Sequence, residues 1–220
     1  KKGLQMKLST IIANLVGDEF ALFDDESISI KKMNEEFVII EITKHNPYIL
    51  EEGWFNEAYD DSSAINENGQ LRTTTYHLVQ ITKKDDLTED YTKVGFIKFV
   101  KPFSLLSADD FLNASDEISQ NAYDIAIKLP RDKEDADCLI DNTMVIYNLK
   151  VPTSKRKKGY GKILLDLVCS NLEQIKMGKI ALIYDNNSPW LKDYYNNFFK
   201  SREFNLNNRI SKCDFMYFER

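Results

Sequence analysis

Four consecutive basic residues, Lys155-Arg156-Lys157-Lys158, lead into Gly159-Tyr160-Gly161 and then Lys162-Ile163-Leu164-Leu165. Upstream stands Met144–Val151 (MVIYNLKV), an apolar, β-branched run stopped by Pro152. The order is strand, glycine loop, helix. The first N–H groups of such a helix have no intrahelical partner, and the macrodipole favours negative charge beside them. Gly159 and Gly161 remove side chains that would keep a diphosphate away from the backbone. The basic run raises the local concentration of such an anion. The chemistry indicated is pyrophosphate binding. A plain basic turn entering a helix, or a nuclear-import-like run, would use the same residues without a ligand.

Two common phosphate loops do not fit. A nucleotide P-loop needs Ser or Thr after Gly-Lys, and here Ile163 follows Gly161-Lys162, with Arg156 where the first glycine should stand. A dinucleotide fingerprint needs three glycines, and this loop has only Gly159 and Gly161.

The surrounding elements follow from periodicity. Ile163/Leu164, Leu167/Val168, Leu172 and Ile175 share one face of a helix expected from about Tyr160 to Lys176, which Gly178 ends. Lys179–Tyr184 reads as a buried strand, Ser188–Arg202 as an aromatic-rich helix and Asp214–Phe218 as a final strand. Towards the N-terminus, Leu8–Leu15 reads as a short helix, Glu36–Thr43 as a strand, Tyr48–Tyr59 as a helix and Ser62–Gly69 as a loop. Thr73–Thr82 and Tyr91–Val100 form a hairpin across a charged turn, and Ser107 caps a helix running towards Ile127, before a charged loop at Pro130–Ala136. Together these make a mixed α/β layer architecture.

The loop resembles the acetyl-CoA loop of the GNAT N-acetyltransferase family, whose signature is Arg/Gln-x-x-Gly-x-Gly/Ala. Arg156, Gly159 and Gly161 occupy its defined positions, and Val151 lies five residues before Arg156. Downstream, Asn187 and Tyr194 match a family Asn and a Tyr seven residues later. The resemblance implies a mostly antiparallel central sheet with helices on both faces. It also implies that the strand ending near Val151 and the next strand (the family's fourth and fifth) splay apart around the pantetheine arm. Acetyl-CoA, or another short acyl-CoA, would be held by Leu149, Val151, Arg156, Lys157, Lys158, Gly159, Tyr160, Gly161, Lys162 and Asn187. The backbone N–H near Val151 would stabilise the oxyanion, and Tyr194 would protonate the departing thiolate, with Tyr195 as its rival. The reaction implied is direct acyl transfer to a primary amine, on a small molecule or a protein. Two departures stand out: Phe198-Phe199 occupies the place of the usual Gly-Phe, and Glu203-Phe204 follows further on. They motivate the alternative of a catalytically inactive GNAT-like interaction module that binds CoA.

The amine must lose a proton, so a base is needed. Asp141, Asp185, Glu41 and His77 qualify by type, and nothing in the sequence selects among them. Cys169 fits a buried helix position better than an acyl-carrying nucleophile.

The resemblance implies one domain over residues 1–220, with an N-terminal extension (about 1–30), a helical insertion (about 101–142) and an acetyl-CoA-binding core (143–204). Composition agrees with a globular chain: 220 residues are 43% hydrophobic and 29% charged, with 8 Gly and 5 Pro. Residues 151–220 carry 13 Lys and Arg against 7 Asp and Glu, whereas residues 1–150 carry 16 against 28. That acidic front half argues against a nucleic-acid partner. It suits a cationic amine. No apolar run is long enough to span a membrane, and no signal peptide is expected. Cys138, Cys169 and Cys213 are widely spaced and odd in number, and His45 and His77 are the only histidines. The expectation is a cytoplasmic protein without disulfides or a metal site, with room for a homodimer.

Overall fold

Alternation of side chains along the strands divides the protein into two apolar layers. In the computed structural model, which describes residues 27–49, 70–83, 89–100, 108–129, 143–174 and 178–220, eight strands form one sheet in the order β1-β2-β3-β4-β5-β6-β8-β7. They are β1 (Ser27–Lys32), β2 (Phe37–Ile49), β3 (Gln70–Lys83), β4 (Glu89–Val100), β5 (Thr143–Lys150), β6 (Lys179–Ile183), β7 (Asn205–Leu206) and β8 (Phe215–Glu219). Every pairing is antiparallel except β5 with β6. The helices are α1 (Ala108–Ile118), α2 (Gln120–Lys128), α3 (Tyr160–Gln174) and α4 (Trp190–Lys200).

Successive strand residues point to opposite faces. Met144, Ile146, Ile180, Leu182, Met216 and Phe218 pack with Leu164 and Val168 of α3 and Phe198 and Phe199 of α4. Their neighbours Val145, Tyr147, Ala181, Phe215 and Tyr217 pack with Phe111 and Ala114 of α1 and Ala122 and Ile125 of α2. The result is a mostly antiparallel sheet with helices on both faces, the layout that the resemblance implies.

Several elements depart from the sequence reading. The strand expected to end at Thr43 runs on to Ile49, so Tyr48 belongs to β2 and not to a helix. Cross-strand pairing with β3 sustains it, with a register shift between His45 and Ile49. The single helix expected up to Ile127 is two. Ser119 is extended (φ −179°) and its hydroxyl accepts the Ala122 N–H, capping α2. β1 was not anticipated: its alternation, with Ile28 and Ile30 inward, is carried by only six residues. Leu8–Leu15, Ser62–Gly69, Ser107, Pro130–Ala136, Asp141 and most of Tyr48–Tyr59 lie outside the described residues.

The end of α4 explains the displaced Gly-Phe pair. Phe198 and Phe199 are both buried, with Phe199 4.7 Å from Phe218 between ring centroids. The chain then turns through Glu203, which takes φ +67°, a conformation that usually calls for glycine. Phe204 follows, fully buried against Phe199. Glu203-Phe204 thus supplies a turn after α4 and a core aromatic directly behind it.

Candidate acyl-CoA site

β5 is the strand on which the site is built. It pairs with β6 only from Thr143↔Lys179 to Ile146↔Leu182. On its other side it stays paired with β4 as far as Lys150, opposite Phe96. Between these limits the register slips: Lys98 faces Asn148 and Phe99 faces Ile146, leaving Tyr147 as the extra residue of a bulge. Bulges bend a strand and increase its twist. From Tyr147 onward β5 stays paired with β4 but no longer with β6, which ends at Ile183, so this edge of β5 presents backbone groups outside the β5–β6 ladder.

Three elements meet where β5 ends. A Cβ on Gly95 of β4 would lie 2.9 Å from the Lys150 carbonyl oxygen and 3.2 Å from both Leu164 Cδ1 and Val151 Cγ2. Only glycine allows β4, the end of β5 and α3 to approach this closely. A lone glycine inside a strand is the signal that marks such a contact. The sequence reading used Gly95 only as part of a strand.

The loop after β5 is tightly wound. Lys155 N–H donates to the Pro152 carbonyl (2.8 Å) and Arg156 N–H to that of Thr153 (3.3 Å). The Arg156 Nε also donates to the Val151 carbonyl at 3.2 Å, so this side chain folds back and closes the turn. Lys157 and Lys158 are exposed. Lys157 and Gly159 take φ of +63° and +84°, which reverses the chain into α3. Gly159 accepts the first helical bond, from Ile163 N–H at 3.1 Å, so the N–H groups of Tyr160, Gly161 and Lys162 precede the helical ladder.

The side chains of that first turn diverge. Tyr160 points into the core, its hydroxyl bonded to Gln80 Oε1 (3.1 Å) and its ring edge-on to Phe37, leaving its backbone for a ligand. Lys162 reaches Asp166 at 3.4 Å, and Asp166 is also ion-paired with Arg202. Gly161 faces Tyr194: a Cβ there would stand 3.3 Å from the Tyr194 hydroxyl oxygen and 4.0 Å from Val151 Cγ2. Leu149 and Val151 are partly buried on the same side.

Tyr194 and Tyr195 differ in setting. Tyr194 is half-buried between Gly161 and the exposed Trp190, whose ring centroid lies 6.3 Å away. Burial pushes its hydroxyl above the ordinary tyrosine range, so it carries its proton at neutral pH. Tyr195 is 6% exposed and packed in the core; burial, and secondarily Tyr194, pushes its hydroxyl up further. Of the two, Tyr194 is the one beside the glycine loop.

Asn187 sits in the turn after β6. Its backbone N–H and its side-chain amide both donate to Asp185 Oδ1, at 2.9 and 3.0 Å. Of the three candidate bases among the described residues, Asp185 is the one that follows β6, and it anchors this turn. Glu41, on β2, pairs with Lys31 of β1 and has β3 and β4 between it and β5. His77 is 1% exposed beside Phe96, on the sheet face opposite that of Tyr76 and Leu78. Among the described residues no group of three or more His, Cys, Asp or Glu could hold a metal ion, and no helix is long and apolar enough to cross a membrane.

No family model matches the chain, and no curated protein matches it in sequence. Among solved structures it is similar to NAA60 of Arabidopsis thaliana in complex with acetyl-CoA, at 14% identity and a TM-score of 0.37. That overlap covers 82% of this chain and 97% of the other.

Proposed function

We propose that the protein is an acyl-CoA-dependent N-acyltransferase of the GNAT type, passing a short acyl group, acetyl in the first instance, to a primary amine. The observation that carries this is the convergence of the Gly161 backbone, the Tyr194 hydroxyl and the end of β5 at one place, beyond the point where β5 stops pairing with β6. In this reading acyl-CoA is a substrate, and the bare Gly161 backbone lets its diphosphate approach the N–H groups of the first turn of α3.

In this reading the N–H groups of Tyr160, Gly161 and Lys162 hold the diphosphate, with Lys157 and Lys158 adding positive charge. The β5 edge from Tyr147 to Val151, with Leu149 alongside, takes the pantetheine arm as an added strand. A backbone N–H of β5 towards Tyr147, at the far end of the arm from the diphosphate, faces the negative charge developing on the acyl oxygen. Tyr194, kept protonated by burial, donates to the leaving thiolate once its hydroxyl turns from Gly161 towards the sulfur end of the arm. Arg156 serves by closing the loop. Asn187 orders the turn after β6. Residues 143–204 form the cofactor core, within one domain that includes the N-terminal extension and the insertion at 101–142. An acidic front half favours a cationic acceptor, a small amine or a protein lysine, in a cytoplasmic setting.

The test is thiol release from acetyl-CoA in the presence of a panel of polyamines, aminoglycosides and lysine peptides. Amine-dependent release supports the reading. Tight CoA binding with no release from any amine favours the inactive, CoA-binding module.

A further inference from the structure

Asp166, one turn beyond Lys162 on α3, holds two cations on separate oxygens. Its Oδ1 accepts from Arg202 Nη2, and its Oδ2 lies 3.4 Å from Lys162 Nζ. The two partners are held very differently. Arg202 follows the end of α4, with its guanidinium 3.7 Å above the centre of the Phe198 ring. Its Nη1 also donates to the Phe198 carbonyl and to Ser201 Oγ, both at 3.0 Å. Its side chain is 19% exposed, whereas that of Lys162 is 64% exposed. The Lys162 contact is also longer than a charge-assisted hydrogen bond usually is, about 2.7–2.9 Å. A solvated ion pair of this kind contributes little and breaks readily.

Lys162 is poorly placed for helix stability. A cation in the first turn opposes the macrodipole, and α3 has no acidic residue in that turn. Lys before Asp at i,i+4 is the weaker of the two orders. Helical Cα–Cβ bonds tilt towards the N-terminus, so the Lys162 stem starts out towards the N–H groups of the first turn and Asp166 leans back to meet it. A diphosphate on those N–H groups would remove both disadvantages. We propose that Asp166 and Arg202 are positioning residues for Lys162: Asp166 keeps its ammonium beside the first turn of α3, and Arg202, by holding the same carboxylate, lets that ammonium pass to the diphosphate of the ligand. Asp166 keeps its Arg202 partner when Lys162 leaves, so no carboxylate is stranded. The identity of the ligand rests on the function proposed above; the sharing of Asp166 does not.

The experiment titrates the full chain with CoA by calorimetry and, without CoA, follows acylation of Lys162 by acetic anhydride with mass spectrometry. Both use salt of about 0.15 M, which screens the general field over about 8 Å. Arg202→Met keeps a stem over Phe198 and leaves Asp166 to Lys162. It should weaken CoA about 2- to 5-fold and slow Lys162 acylation by a similar factor. Asp166→Asn releases Lys162 and should do the opposite in both. Lys162→Met should itself weaken CoA about 5- to 10-fold. In that background neither Arg202→Met nor Asp166→Asn should shift CoA affinity by more than about 1.5-fold, because the residue they act through is gone. A pair that merely braced the two helices would weaken CoA in both single variants, with or without Lys162, and that result overturns the proposal. Opposite shifts that persist in the Lys162→Met background also overturn it, since net charge alone would then explain them. Asp166→Asn, alone and with Lys162→Met, carries the same test if Arg202→Met folds poorly. Unchanged acylation in both variants overturns the sharing. Acylation in the expected order in a protein that never binds CoA keeps the sharing and removes the acyl-CoA reading.

Discussion

The Tyr194 hydroxyl oxygen stands 3.3 Å from the point that a Cβ on Gly161 would occupy. Two residues from different helices thus share one small volume, and each has a reason to be there. Gly161 brings backbone N–H groups to that volume without a side chain in the way, and Tyr194 brings a protonated hydroxyl. Gly159 plays another part: nothing lies within 4 Å of where its Cβ would be, and its φ of +84° is what requires glycine.

Substitutions at the two glycines should therefore separate. Gly161→Glu puts a carboxylate where the diphosphate is proposed to sit, and should abolish CoA binding while the circular dichroism spectrum stays native. Gly159→Ala meets no neighbour but bears the left-handed strain, about 1–2 kcal/mol. It should lower the unfolding free energy by that amount, measured in urea, and weaken CoA less than Gly161→Glu does.

Tyr194→Phe should reduce kcat by about 100-fold, the usual worth of a positioned general acid, with CoA affinity within about twofold. Tyr195→Phe should leave kcat nearly unchanged, because that hydroxyl lies in the core. Its effect belongs to stability instead. The folded protein holds the Tyr195 proton more tightly than the unfolded chain does, so this contribution is complete below about pH 10 and is lost as pH rises further. Urea unfolding from pH 8 to 11 should decline less steeply in Tyr195→Phe than in wild type.

The basic run should divide by role. Lys157 and Lys158 are exposed charges, and replacing both by alanine should weaken CoA binding and flatten its dependence on salt. Arg156 caps the Val151 carbonyl. Arg156→Ala should cost stability by about 0.5–1.5 kcal/mol, and retain more of the salt dependence than the double lysine variant.

Glu203 holds a left-handed conformation without glycine's freedom. Glu203→Gly should relieve about 1–2 kcal/mol of strain, offset by about 0.5–1 kcal/mol of added chain entropy. A rise of a few degrees or less in Tm by differential scanning calorimetry is expected.

What the sequence showed was what local chemistry determines. Gly159-Tyr160-Gly161, the apolar stripe of α3 and the short strands around Val145 and Ala181 each declare themselves within a few residues. What it hid depends on distant partners. The bulge at Tyr147 exists relative to β4, and the bond from the Asn121 side-chain amide to the Tyr147 carbonyl spans 26 residues. β2 continues to Ile49 because β3 pairs with it, although Pro47 argues locally for a stop. Tyr194 and Tyr195 are adjacent, so spacing could not say which faced the loop; the packing of α4 on the sheet decides it. Arg156 reads as a phosphate ligand in sequence; the bond from its Nε to the Val151 carbonyl is a local contact that the sequence does not announce.

The most direct measurement is a thermal-shift titration with acetyl-CoA, with CoA, and with ATP as control. A ligand at about 100 times its dissociation constant adds roughly 2.7 kcal/mol, which for a chain of this size moves Tm by about 5–10 °C. A shift of that size with both CoA species and none with ATP is the predicted result. No shift with either CoA species would contradict the account, reducing Gly159-Tyr160-Gly161 to a helix start.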